Sequence, residues 1–155
     1  MRIFRKETDY AVRTLVYLAL QDGSKYVSVT MLSQALGLPM NFLRRICSTL
    51  IKAKILDTRE GKNGGVRLVK SPAKITVLQL IELFDGKTEL SDCTFRKKLC
   101  PNRTTCVLRR RILGIEKIIA NEFAAITLQN LIDDIQSPVS VATQGAATQP
   151  LTTNH

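Results

Sequence analysis

Cys93, Cys100 and Cys106 stand in the run Ser91-Asp92-Cys93-Thr94-Phe95-Arg96-Lys97-Lys98-Leu99-Cys100-Pro101-Asn102-Arg103-Thr104-Thr105-Cys106, a C-x6-C-x5-C pattern. Three thiols within fourteen residues can ligate a soft metal, hold an iron–sulfur cluster or undergo redox exchange. A disulfide framework fits a secreted mini-domain better than this chain. The cations around the thiols, Arg96, Lys97, Lys98, Arg103, Arg109, Arg110 and Arg111, favour thiolates and offset the charge of an anionic cluster. Zinc sites prefer closer cysteine pairs and four protein ligands. The one histidine here is His155, the final residue. Spacing alone leaves cluster, zinc and redox-active or inert thiols open. Cys47 lies on the apolar side of a helical pattern and reads as a small core residue.

A second chemistry is written in the charge. Twenty-three Lys and Arg against 13 Asp and Glu give +10 and a pI near 9.8, which points to a polyanionic partner. The charge is gathered into blocks: residues 40–74 hold nine basic and two acidic side chains, and residues 93–111 hold seven basic and no acidic ones. Enzymatic chemistry lacks its residues, with no Ser/His or paired-carboxylate arrangement. No stretch of about 18 apolar residues exists to span a membrane. The start, Met1 to Glu7, lacks a signal-peptide pattern, so a cytoplasmic protein is expected.

The elements that must position these groups follow from periodicity. Residues 10–20 predict a buried first helix, stopped by Gln21-Asp22-Gly23-Ser24. Ser28 reads as the N-cap of a second helix with Val29, Leu32, Ala35 and Leu36 on one face, and Gly37 permits a left-handed exit. Pro39 opens a third helix. Its inner stripe is Phe42 or Leu43, then Ile46, Cys47 and Leu50; Arg44, Arg45, Ser48 and Lys52 face outward. The period then changes. Ile55–Arg59 and Val66–Val69 are strand-like, joined by Glu60-Gly61-Lys62-Asn63-Gly64-Gly65, a hairpin signal. Thr76 caps a helix over 77–85. Residues 86–106 read as an irregular loop, and a long helix carries Leu108, Ile112, Ile115, Ile119, Phe123 and Ile126 along one stripe. Thr127 caps a last helix over 128–135, and from Ser137 to His155 the uncharged polar composition reads as a disordered tail.

Two short helices around a glycine turn, then a basic hairpin, describe a winged helix-turn-helix. The fold expected is mainly α with a small β hairpin, plus a long dimerisation helix. Four regions are expected: a DNA-binding domain over 1–85, a cysteine loop over 86–106, the long and last helices over 107–136, and a tail over 137–155. The partner is double-stranded DNA. Asn41, Arg44 and Arg45 lie where base edges come within reach, since Arg reads guanine and Asn reads adenine bidentately. Lys52, Lys54, Lys62, Arg67 and Lys70 are expected at phosphates. Ser28 and Arg59 complete the candidate contacts.

With these motifs in place, the chain resembles the IscR/NsrR family of bacterial regulators, also called the Rrf-two family, over residues 1 to about 136. The resemblance rests on Thr8-Asp9-Tyr10-Ala11-Val12-Arg13, on Glu60-Gly61-Lys62-Asn63-Gly64-Gly65-Val66-Arg67-Leu68, on the three-cysteine loop and on Ile126-Thr127-Leu128. It implies a homodimer on a palindromic operator, paired through the long helix, and an iron–sulfur cluster held by Cys93, Cys100 and Cys106. IscR-type members add a His three residues past the last Cys, where Arg109 stands here. NsrR-type members use an Asp in the first helix of the opposite subunit, a pattern that Asp9 matches, with Glu7 a second candidate. The resemblance therefore implies a 4Fe–4S cluster on Cys93, Cys100, Cys106 and Asp9, with 2Fe–2S as the alternative. A cluster-free regulator using its thiols for redox or thiol-metabolite sensing is the rival reading. Many members carry an Arg just before the wing Gly; Glu60 holds that place here, with Arg59 one residue earlier.

Overall fold

A computed structural model describes residues 5–21, 23, 25–87, 90 and 105–137. Cys93, Cys100 and the tail from 138 onward lie outside the described residues. The elements run α1 (Lys6–Leu20), α2 (Val29–Leu36), α3 (Met40–Lys52), β1 (Leu56–Arg59), β2 (Gly65–Leu68), a 3-10 turn (Pro72–Lys74), α4 (Val77–Phe84), α5 (Val107–Ala125) and α6 (Leu128–Gln136). This is the mainly helical, winged architecture expected.

Helix α1 is the hub, packing against α2, α3, α4, α6 and β2. Its buried side, Thr8, Ala11, Thr14, Leu15 and Leu18, recurs every three or four residues. The two threonines are fully buried; Thr14 satisfies its hydroxyl on the Tyr10 carbonyl at 2.7 Å. The helix starts at Lys6, four residues before the apolar pattern does. The physical reason lies far away in sequence. Arg5, the N-cap, offers no side-chain cap. Instead the buried carboxylate of Asp85 accepts the Arg5 N–H (3.1 Å) and the Thr8 hydroxyl (2.8 Å), with the Arg5 guanidinium 3.8 Å away.

Helices α2 and α3 form the paired unit. The Ser28 Oγ accepts the Met31 N–H at 3.1 Å, and Gly37 closes α2 at φ 63°, a left-handed conformation natural to glycine. In α3, Leu43, Ile46, Cys47 and Leu50 are buried, so Leu43 rather than Phe42 is the inward residue; Ala35 of α2 points to solvent. The hairpin that follows pairs Leu56 with Leu68, Asp57 with Arg67, Thr58 with Val66 and Arg59 with Gly65. A third strand-like leg joins it, because Val27 and Val66 exchange both backbone hydrogen bonds at 2.9 Å. Gly65 sits at φ 154°, and a Cβ there would collide with the Val27 carbonyl, so the close approach of leg and wing requires glycine.

Helix α6 is fixed by a Thr127–Asn130 capping box, and Leu128 and Ile132 enter the core. Helix α5 behaves differently: among its 19 residues none is buried. Ile112, Ile119 and Phe123 are half-buried on the side turned toward the chain, where α4 lies. Leu108 and Ile115, expected on the same stripe, are exposed together with Ile118.

Candidate nucleic-acid interface and cysteine centre

The outer face of α3 follows from its inner one. With Leu43, Ile46, Cys47 and Leu50 committed to the core, a 3.6-residue period leaves Asn41, Arg44, Arg45, Ser48 and Lys52 in solvent. Arg45 lies over the Phe42 ring at 5.4 Å, and Phe42 meets Tyr10 of α1 edge-on at 6.2 Å. The Arg45 guanidinium is thereby steadied by a ring that rests on the hub helix. Burial pushes the Cys47 thiol up to about 11, consistent with an inert core residue.

The wing presents Arg59, Glu60 and Lys62 at its exposed end. Two other expected phosphate contacts have partners within the chain. Lys70 Nζ donates to Gln79 Oε1 at 3.0 Å. Arg67 Nη2 lies 3.4 Å from Asp57 Oδ2, with its guanidinium 4.8 Å above the Tyr26 ring. Ser28 is half-buried and caps α2. Lys54, two residues past the end of α3, is in a left-handed conformation at φ 57° and is exposed.

Among the cysteines of the candidate centre, the described one is Cys106. It is the N-cap of α5, and its Sγ accepts the Arg109 N–H at 3.4 Å. The sulfur thus stands at a helix N-terminus and is followed in sequence by Arg109, Arg110 and Arg111. Asp9 lies in the first turn of α1, 41% exposed, with Oδ2 3.0 Å from Arg13 Nε. Glu7, two residues earlier in the same turn, is half-buried. Among the described residues no three His, Cys, Asp or Glu side chains converge; two of the expected ligands, Cys93 and Cys100, fall outside that set. Cysteine sulfurs with a carboxylate are a donor set whose chemistry fits an iron–sulfur cluster.

Residue-by-residue reading overlooked two features. Asp85 ties the start of α1 to the end of α4, and no sequence signal joins residues 80 apart. Tyr26 donates its hydroxyl to Asp57 Oδ2 at 2.7 Å. Half of that cluster was accessible from sequence, because counting back from the hairpin turn sets Asp57 opposite Arg67.

A capped helix, a glycine turn, a helix with a basic outer face and an adjoining basic hairpin define a winged helix-turn-helix, the reading head of a DNA-binding regulator. The chain belongs to the Rrf2 family, described as iron-dependent transcriptional regulators, whose profile it matches over residues 4–134. It is a DNA-binding transcriptional regulator, not an enzyme. The HTH-type transcriptional regulator NsrR of Halalkalibacterium halodurans is 35% identical over 130 residues, 83% of this chain and 86% of that one. Among solved structures, the fold is shared with CymR, the global cysteine regulator of B. subtilis (TM-score 0.70, 20% identity, 86% and 98% of the chains covered). It is shared also with T. potens IscR (TM-score 0.66, 22% identity, 85% and 87% covered). No helix among the described residues is long and apolar enough to cross a membrane.

Proposed function

We propose that the chain is a homodimer that binds a palindromic operator in the cytoplasm and grips it according to the state of an iron–sulfur cluster. The ligands are Cys93, Cys100, Cys106 and Asp9 of the partner subunit, and the cluster is 4Fe–4S, with 2Fe–2S the alternative. The observation that carries this reading is the position of Cys106 at the head of α5. The helix that opens with this thiol also presents Leu108, Ile115 and Ile118 uncovered, at 69%, 50% and 62% exposure. Sensor and dimer surface are then one element, and the likeness to NsrR supports the cluster.

When bound, such a cluster supplies a centre whose charge and integrity respond to oxidants, nitric oxide and iron supply. The chain's own residues supply the rest. Asn41, Arg44 and Arg45 meet base edges in the major groove; Ser28, Lys52, Arg59 and Lys62 meet the sugar–phosphate backbone. Tyr10, next to Asp9, bears on Phe42 and through it on Arg45, so displacement of the start of α1 moves a base-reading side chain. A symmetric operator senses the spacing of the two heads.

Anaerobic purification with iron and sulfide analysis, followed by mobility shifts on the chain's own upstream DNA, tests this. Loaded, nitrosylated and apo protein should differ in affinity, and Asp9→Ala should lose iron faster than wild type. Colourless protein that cannot be reconstituted defeats the cluster. That result would favour the second reading, thiol-based sensing without a cluster, which the fold shared with CymR supports equally.

A further inference from the structure

Arg67 sits in β2 opposite Asp57 of β1. Tyr26 belongs to neither strand but to the leg that leads into Ser28. All three side chains close on one atom: Asp57 Oδ2 accepts the Tyr26 hydroxyl at 2.7 Å and lies 3.4 Å from Arg67 Nη2. The Arg67 guanidinium lies on the Tyr26 ring at 4.8 Å. Its Nε is buried without a hydrogen-bond partner among the described residues. The Tyr26 bond holds the Asp57 carboxyl below the usual range, and the same bond raises the Tyr26 hydroxyl, so the proton stays on tyrosine and the charge on aspartate. Just beyond this cluster, Val27 and Val66 exchange their backbone hydrogen bonds, and Gly65 leaves no room between leg and wing.

We propose that Tyr26, Asp57 and Arg67 form a lock at the root of the wing, in which Arg67 is a positioning residue rather than a phosphate contact. The lock sets the angle between the wing and the α2–α3 pair. Lys62 and Arg59 then reach the backbone while α3 occupies the groove. To meet a phosphate itself, Arg67 would have to leave both an anion and a ring. The inference rests on the DNA-binding reading of the wing, and one of its tests needs no DNA.

Hydrogen exchange at the Val27 and Val66 amides reads the lock directly. In Tyr26→Phe, which keeps the ring and removes the hydroxyl, both amides should exchange about fivefold faster, the factor of one net hydrogen bond, while core amides such as Leu50 keep their rates. Unchanged Val27 and Val66 rates overturn the lock. In salt titrations on upstream DNA, Tyr26→Phe and Arg67→Lys should each weaken binding by about fivefold with the wild-type salt slope, because the wing still docks but must first be reordered. A phosphate contact predicts otherwise: Arg67→Leu would lower the slope by about 0.9, Arg67→Lys would restore it, and Tyr26→Phe would bind as wild type. That pattern overturns the positioning role.

Discussion

Helices α3 and α5 are both rich in Leu and Ile, yet their apolar faces meet opposite fates. In α3, Leu43, Ile46, Cys47 and Leu50 are all buried by the chain's own α1, α2 and hairpin. In α5, no residue is buried, and Val107, Leu108, Leu113, Ile115 and Ile118 stand in solvent. The reading head completes its own core and is left with a charged outer face for DNA. The long helix is covered on one side by α4, and in the dimer proposed above a second copy covers the other. Burying an exposed Leu or Ile is worth roughly 1.5–3 kcal/mol each, so a second copy offering the same face has a strong reason to pack there.

Placing a charge in the uncovered face should have the largest effect. Ile118→Glu is expected to reduce the mass seen by sedimentation from twice 17.3 kDa to a single copy. It should also weaken binding to a two-half-site operator by roughly a hundredfold or more, the loss of avidity. An Ile118→Glu protein that remains dimeric breaks the comparison. Within α3 the same kind of residue should matter for folding instead. Leu50→Ala should cost about 2–5 kcal/mol in urea unfolding, whereas Leu108→Ala, measured where the chain is monomeric, should stay within about 0.5 kcal/mol of wild type.

The outer face of α3 is sharpened next. Arg44→Ala should cost about 1–3 kcal/mol of operator affinity and relax preference at one base pair. By contrast, Lys62→Ala should weaken all sequences alike and lower the salt slope by about 0.9; competition titrations separate the two. The inner face also carries a pH dependence. The Cys47 thiol, raised to about 11 by burial, stays neutral in the fold while the unfolded thiol ionises near ~8.5. Its contribution to stability is therefore full below about pH 8.5 and is lost as the pH rises toward 11. The urea midpoint should fall over that window, and fall less in Cys47→Ala.

Much of this was legible in the residues themselves, because the groups concerned are neighbours in sequence. Ser28, Gly37 and the stripe from Leu43 to Leu50 announce a helix pair through capping, a left-handed turn and a 3.6-residue period. Glu60 to Gly65 announces a turn through its glycines. The basic side chains then mark the outward face by elimination, and Cys93, Cys100 and Cys106 mark a candidate centre by their spacing.

Other decisions belonged to the tertiary structure. Periodicity put Leu108, Ile112, Ile115, Ile119, Phe123 and Ile126 on one stripe, but Ile126 falls just past the end of α5 and is exposed, and only the position of α4 divides the rest into a covered and an open half. The charged first turn of α1 hides a helix that the pattern places later; Asp85, far along the chain, supplies the cap that local residues lack. Arg67 shows the same limit. Its charge and place in the wing suggest a phosphate, while its surroundings, set when the leg carrying Tyr26 docks on β2, give it an anion and a ring to hold. The sequence by itself determined most of each element, the charge of their faces and the spacing of the three cysteines. Which faces were covered, and which cations were already engaged, was decided only by packing between segments distant in the chain.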